Sequence, residues 1–371
     1  MPGPNGTLTT GCYRAQVHVL HVVGGKANFL KASPVVQALA HRRVRQTIVH
    51  TGPACASCVA DPALLDLGLP EPNVNLAVGS GTHAWQTAEV MNRLEPLILK
   101  DEPDIALVYG DVNSTVAAAL ACSKLGVRVG HVEAGLRLFD RSDPNEMNRV
   151  LSDHLADLLF TASPEDDENL LREGIAPHRI HRVGNVTIDA LVRLLPQASQ
   201  RRREGVAGLN GHPYGLIALN RASRFDDQDQ LARLFEALSE IAKTVTLVVP
   251  VPPKALQRVR SQFPALHQQV QLVEPLSYID LFAIETQALF VVTDCGDIQE
   301  QTTFLGVPCL TLRTTTERPV TWSMGSTTLV GEDLSRLKDE VRRVLRGEGK
   351  TGSVPPLWDG AAAQRLAEVI G

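Results

Sequence analysis

The chain has 371 residues, a length that suggests two domains of ordinary size. Apolar residues make up 44% and charged residues 21%, the balance of a soluble globular protein with ample material for a core. A net charge of −5 with interspersed signs argues against nucleic acid or a membrane surface as the main partner, and no apolar run nears the roughly 20 residues that span a bilayer.

The opening MPGPNGTLTTGCYR lacks a charged start followed by an apolar core, so it reads as a frayed leader rather than a secretory signal. Gln16–Val23 reads as a strand closed by Gly24-Gly25, Lys31–His41 as a helix with Pro34 in an early turn, and Gln46–His50 as a strand. Thr51–Ser80, rich in Pro, Asn and Gly, reads as irregular. Gln86–Leu99 carries Val90, Met91, Leu94, Leu97 and Ile98 at helical spacing. Ile105–Tyr109 is an apolar strand ending on Gly110-Asp111, Ser114–Leu125 an Ala-rich helix, and Val127–Val132 a strand ending on Glu133. A helix over Glu146–Leu155, a strand at Leu158–Thr161, a helix over Pro164–Glu173 and a strand at Ile180–Gly184 complete the first half. Around Leu191–Gly211 a charge run, Arg201–Glu204, is bracketed by glycines, which suggests an inter-domain connection.

The second half repeats the alternation. Strands are predicted at Tyr214–Leu219, Val245–Pro250, Val270–Val273, Leu289–Thr293 and Pro308–Leu312, and helices at Asp227–Ala242, Ser277–Ala283 and Ile298–Leu305. The tail after Ala361 reads as a terminal helix. Strands alternating with helices of 10–15 residues predict parallel α/β sheets covered on both faces. The simplest architecture is two similar α/β halves facing each other across a cleft that holds the ligand. Neither GxGxxG nor GxxxxGK[ST] occurs, so dinucleotide and Walker-type phosphate loops are absent.

Six cysteines, at 12, 55, 58, 122, 295 and 309, are scattered through the chain. Cys12, Cys122 and Cys309 lie in or beside apolar runs and read as small buried residues. Cys55-Ala-Ser-Cys58 has CxxC spacing, but no second pair or His cluster accompanies it, so a metal or redox role has little support. A reduced cytoplasm is the natural setting.

Asp111 and Glu133 sit just past the C-terminal ends of two successive strands, the edge where open parallel sheets bind ligands. With Glu146 they form a carboxylate set able to divide general-acid and general-base work. The structural alternatives are that Asp111 caps a helix and that Glu133 pairs with Arg137 four residues on. His131 faces the same side of its strand as Glu133 and reads as either a core residue or a base. Lys26 and Lys31 are either solvated or placed to meet an anion at a helix N-terminus. Asp294-Cys295-Gly296-Asp297 lies between a strand and a helix, the place for a phosphate nest, yet Asp297 carries the wrong charge for a diphosphate. Arg318 either holds a carboxylate or phosphate or forms a surface pair with Glu317.

The segments NFLKASP, HTG, GSGTHAWQT, VYGDVNST, HVEAGLR, NEMNRVLSDHLADLLF, VGNVTIDA, TDCGDIQE, FLGVPCLTLR and TTERP resemble, in order, those of the non-hydrolysing UDP-N-acetylglucosamine 2-epimerases. The likeness is greatest to the branch acting on UDP-2,3-diacetamido uronic acid sugars, and it covers roughly residues 16–370. It implies a GT-B-like fold of two Rossmann-like domains, with residues 1–190 in the first, 191–360 in the nucleotide-binding second, and 361–371 packing back on the first. It further implies a UDP-sugar in the cleft, no metal or nicotinamide, a homodimer, and a place in polysaccharide biosynthesis. The family reaction removes the C2 proton, eliminates UDP to give a 2-acetamidoglucal, and adds UDP back after reprotonation on the other face.

Carried over, Asp111, Glu133 and Glu146 become the acid/base candidates. Lys26, Lys31, Arg137, Asn220, Arg221, Cys295, Gly296, Gln301 and Arg318 become candidates for binding the nucleotide sugar. Lys26 stands where the family has an arginine, which keeps the charge without the bidentate fork. The departures cluster in the cleft. The family's PEE is Pro144-Asn145-Glu146, its HR-x-E segment is Asn220-Arg221-Ala222-Ser223, and its SGG nest is Cys295-Gly296-Asp297. The glutamate for the ribose hydroxyls falls on Gln301, HTGQHYD continues after Gly52 as Pro53-Ala54-Cys55, and an LPLHP histidine is Val251. An epimerase with a changed substrate and a non-catalytic homologue that binds a nucleotide sugar or a protein are both consistent with this pattern. A transferase or hydrolase rests on fold analogy alone.

Overall fold

The computed structural model describes residues 16–52, 66–204, 212–219, 227–263 and 268–371. The leader, Cys12, Cys55, Cys58, the 53–55 departure and Asn220–Ser223 lie outside the described residues. Seven parallel strands form the first sheet: β1 (His18–Val23), β2 (Arg45–His50), β3 (Val74–Asn75), β4 (Ile105–Tyr109), β5 (Arg128–Val132), β6 (Leu158–Thr161) and β7 (Ile180–Arg182), in the order β3-β2-β1-β4-β5-β6-β7. Six more form the second: β8 (Tyr214–Ala218), β9 (Thr246–Pro250), β10 (Val270–Val273), β11 (Phe290–Thr293), β12 (Cys309–Thr311) and β13 (Thr327–Leu329), in the order β10-β9-β8-β11-β12-β13. Strand order reverses beside β1 in the first sheet and beside β8 in the second, which creates a crevice at each switch point.

The helices between the strands are α1 (Lys26–His41), α2 (His83–Asp101), α3 (Asn113–Lys124), α4 (Pro144–Leu155), α5 (Pro164–Arg172) and α6 (Val186–Glu204) in the first half. The second half has α7 (Gln228–Ile241), α8 (Pro253–Gln262), α9 (Tyr278–Glu285), α10 (Gly296–Leu305), α11 (Pro319–Ser323), α12 (Leu334–Leu345) and α13 (Ala362–Ile370). Both faces of the first sheet are covered, which is why β1 and β4 are buried at every position rather than at alternate ones.

Two elements differ from expectation in ways that matter for the site. Helix α1 begins at Lys26, five residues ahead of the expected start, so Pro34 is internal rather than in an early turn. Asn28 makes that start: its Oδ1 accepts from the Gly24 and Gly25 amides at 3.1 and 3.2 Å, and its Nδ2 donates to Tyr109 O at 2.8 Å. One side chain thus caps α1 and ties the end of β1 to the end of β4. The second concerns the charge run at Arg201–Glu204, read from the sequence as part of an inter-domain connection, which is helical. It ends the long helix α6, which packs against α9 of the second half.

The C-terminal helix α13 docks on α1 and α6, with Leu366 and Ala367 in one cluster with Val19 and Leu39. Asp189 caps it, accepting from the amides of Ala362 and Ala363 at 3.1 and 2.6 Å. Burial of this seam stabilises at roughly 25 cal/mol per Å² of apolar surface. Cys122 and Cys309 are buried as expected.

Candidate functional site

Parallel register brings the two acids to one edge. Tyr109 pairs with Val132, so Gly110-Asp111 and Glu133 leave their strands side by side. Gly110 has φ +61, and a Cβ there would press within 3.3–3.4 Å of the Glu133 carboxylate, the Asn28 amide and the Lys31 ammonium. Glu133 itself has φ +72, a conformation that costs a non-glycine residue energy and tends to persist where a site requires it. The turn that follows is not helical, so the alternative pairing with Arg137 does not form.

Glu133 is instead clamped between two cations. Lys31 Nζ lies 2.7 Å from Oε2, and Arg318 Nη2 donates to Oε1 at 2.8 Å. Burial alone would raise the Glu133 carboxyl, but these two charges outweigh it and hold the group below the ordinary carboxylate range. Lys31 is buried rather than solvated, and Asp297 and Glu133 overcome its desolvation to keep it charged.

Arg318 is the hub. Beyond Glu133 it donates to Glu300 Oε1 at 2.7 Å, to Asp297 Oδ1 at 3.2 Å and to Glu317 Oε1. Glu317 also pairs with Arg313 at 2.6 Å and is 4% exposed, so the alternative of a surface pair gives way to a buried network. Burial pushes the Glu300 carboxyl up to about 7, with Arg318 opposing the shift. Gly296 makes room for the guanidinium, since a Cβ would fall 2.2 Å from Arg318 Nη1. Its place in the site is that of a gap through which an arginine passes.

Asp111 is not the cap of α3, whose N-cap is Val112. Its Oδ2 accepts from Arg149 Nη2 at 2.6 Å. Arg149 also donates to Glu146 Oε2 at 2.8 Å. Glu146 is more committed still, accepting from the backbone amides of Leu138 (3.0 Å) and Phe139 (2.8 Å). These three charge-assisted or backbone bonds make Glu146 an anchor for the 138–139 turn. Asn145, beside it, lines two cavities of about 330 and 530 Å³ at the same edge.

The structure does not bring Arg137 to this group. Its guanidinium donates to Glu173, to Asp153 and to Leu136 O, and it is 3% exposed. Asp153 also binds His131 Nδ1 at 2.6 Å, while His131 Nε2 donates to Gly110 O at 2.8 Å. With an acceptor on each nitrogen, His131 is a core imidazolium and no base. Arg149, Asn28 and Glu300 escaped prediction. The one local signal was the three-residue spacing of Glu146 and Arg149 on a helix.

Facing these residues across the cleft is a cavity of about 440 Å³, largely apolar, whose walls include Leu219, Pro250, Pro275 and Tyr278 with Lys26, Cys295, Asp297 and Gln301. Gln301, turned so that its amide nitrogen points at Glu285, donates to both carboxyl oxygens at 3.2 Å. Glu133, Asp297 and Glu300 each bring an oxygen within 4.8 Å of the others, a spacing a metal ion could use, but Lys31 and Arg318 already supply the countercharge there.

Two parallel sheets whose switch-point edges meet at one charged cleft define a GT-B-like pair of Rossmann-like domains. The family model for UDP-N-acetylglucosamine 2-epimerase matches residues 37–371, and the chain belongs to that family. The chain is 34% identical over 359 residues to the UDP-N-acetylglucosamine 2-epimerase of Methanocaldococcus jannaschii, covering 94% of this chain and 97% of that protein. It is also 34% identical, over 360 residues, to the UDP-2,3-diacetamido-2,3-dideoxy-D-glucuronate 2-epimerase of Pseudomonas aeruginosa, covering 95% and 99%. A crystal structure of the M. jannaschii enzyme with UDP-GlcNAc and UDP superposes with a TM-score of 0.86 at 32% identity, over 95% of this chain and 99% of that one. A lipopolysaccharide galactosyltransferase, WaaB, shares the fold at 13% identity and a TM-score of 0.55. Among the described residues no helix is long and apolar enough to cross a membrane.

Proposed function

We propose that the chain interconverts UDP-N-acetylglucosamine, or a related UDP-acetamido sugar, with its C2 epimer by eliminating and re-adding UDP. The observation that carries this reading is the ionised Glu133, held between Lys31 and Arg318, both of which also pair with Asp297 on the wall of the apolar cavity. In this reading Glu133 takes the C2 proton. The C2–H electrons form the C1–C2 double bond as the C1–O bond breaks, and UDP leaves with the C1–O bonding pair. Lys31 and Arg318 meet the diphosphate charge, and Asp111, part-exposed and bonded to Arg149, serves the opposite face. Glu146 positions the 138–139 turn and Arg149, and Gln301 faces the nucleotide. The reading includes a homodimer acting in the cytoplasm, in keeping with the family and with the free thiols of Cys122, Cys295 and Cys309.

A second reading, a homologue that binds a nucleotide sugar without turning it over, draws support from Asn145 and from the committed Glu146. Incubation with UDP-GlcNAc in D₂O separates the two. Deuterium at C2 supports turnover, whereas UDP-induced thermal stabilisation without exchange supports the binding homologue. Neither exchange nor stabilisation overturns both. Gain of exchange in Asn145→Glu would mark the missing carboxylate as the reason for a silent wild type.

A further inference from the structure

The first turn of α10 points into the cleft, where the helix dipole, the bare Cα of Gly296 and two buried cations make an anion receptor. Its occupant is a side chain. Asp297 Oδ1 lies 3.2 Å from Arg318 Nη2 and 3.3 Å from Lys31 Nζ, so one carboxylate bridges a cation from each half of the molecule. Asp297 also lines the 440 Å³ cavity, whose described walls include neither Lys31 nor Arg318. A ligand entering by this route meets the carboxylate before it meets either cation.

Charge makes the consequence specific. Lys31, Arg313 and Arg318 pair with Glu133, Asp297, Glu300 and Glu317, and beside them Arg149 pairs with Asp111 and Glu146, so acids outnumber cations in each group. Such groups have no surplus positive charge with which to receive a dianion. An added diphosphate must take over contacts that an acid of the protein already holds. Asp297 is the acid best placed to yield, because it is the most exposed of the four that touch Arg318 (15%, against 8% or less for Glu133, Glu300 and Glu317) and it stands on the cavity side.

We propose that Asp297 is a resident counter-ion that fills the anion subsite of the cleft and must be displaced before a nucleoside diphosphate reaches Lys31 and Arg318. It therefore sets both the affinity and the charge selectivity of the site, and it bridges the two halves through Lys31 and Arg318. This rests on the UDP-sugar reading above.

The test is calorimetric titration of the full chain with UDP and with uridine, in the wild type and in Asp297→Asn and Asp297→Gly. Releasing one charge-assisted contact on each cation should tighten UDP binding by about 10- to 100-fold, and uridine, which has no phosphate, should be unaffected. Lys31 and Arg318 keep Glu133, Glu300 and Glu317 as partners in both variants, so the fold should persist, as a thermal melt will report. Unchanged or weaker UDP binding by folded variants overturns the inference while leaving the UDP-sugar reading in place. An equal gain for uridine also overturns it, since that would reflect a roomier cavity. Failure of wild type and variants alike to bind UDP removes the UDP-sugar reading, and the inference with it.

Discussion

Arg318 Nη2 donates to Glu133 Oε1 at 2.8 Å, joining residues 185 apart in sequence and the two halves of the molecule. The contact keeps Glu133 ionised inside a buried cluster and so preserves its capacity to accept a proton. Glu133→Gln keeps the shape and removes that capacity. C2 exchange, measured by mass spectrometry, is expected to fall by about 10²- to 10⁴-fold, the usual worth of a positioned general base. UDP-induced thermal stabilisation should survive.

Gly296→Ala tests the path of Arg318. The added methyl would fall 2.2 Å from Nη1, and the guanidinium must leave its place. UDP affinity should drop by about 10- to 100-fold, the worth of one or two charged contacts. The melting temperature should fall less than in Arg318→Ala, which strands Glu133, Glu300 and Glu317 without their shared partner.

Glu146 anchors the 138–139 turn. Glu146→Ala leaves the amides of Leu138 and Phe139 and one arm of Arg149 without their acceptor, at an expected cost of about 3 kcal/mol in urea unfolding. Glu146→Gln, which keeps one acceptor oxygen, should lose about half as much. If Glu146 were instead the proton carrier, the glutamine variant would lose exchange while keeping its stability.

The His131–Asp153 pair predicts a pH window. Burial would lower the His131 pKa, but Asp153 outweighs burial and leaves it above 6.5. Its contribution to stability is therefore fully present below 6.5 and is lost as pH rises through the folded value. Burial would raise Asp153, but His131 and Arg137 hold it below 3.8. Its contribution is present above 3.8 and is lost as pH falls through the folded value. Urea midpoints should decline on both flanks of this plateau, and His131→Phe should abolish the alkaline limb.

Much of the scaffold was legible because burial leaves a periodic mark. Ile105–Tyr109, Leu158–Thr161 and Val270–Val273 match their predicted bounds. β3 and β13, two and three residues long, carry too little pattern to be read. α8 and α12, of 10 and 12 residues, are long enough to carry a helical pattern. The start of α1 was hidden because Asn28, not hydrophobic spacing, determines it.

In the site, the amino-acid sequence was enough to place Asp111 and Glu133 on adjacent strands at one sheet edge, because parallel α/β alternation leaves few other arrangements. It also determined the family, through motifs spread over nearly the whole chain. Only the tertiary structure decided partners and roles. Arg137 belongs to Asp153 and Glu173, Arg149 to Asp111 and Glu146, and Asp297 to Lys31 and Arg318. The reason is physical: local periodicity records which face of an element is dry. A buried charge instead answers to whichever opposite charge the fold brings within about 3 Å, and that neighbour can lie anywhere in the chain.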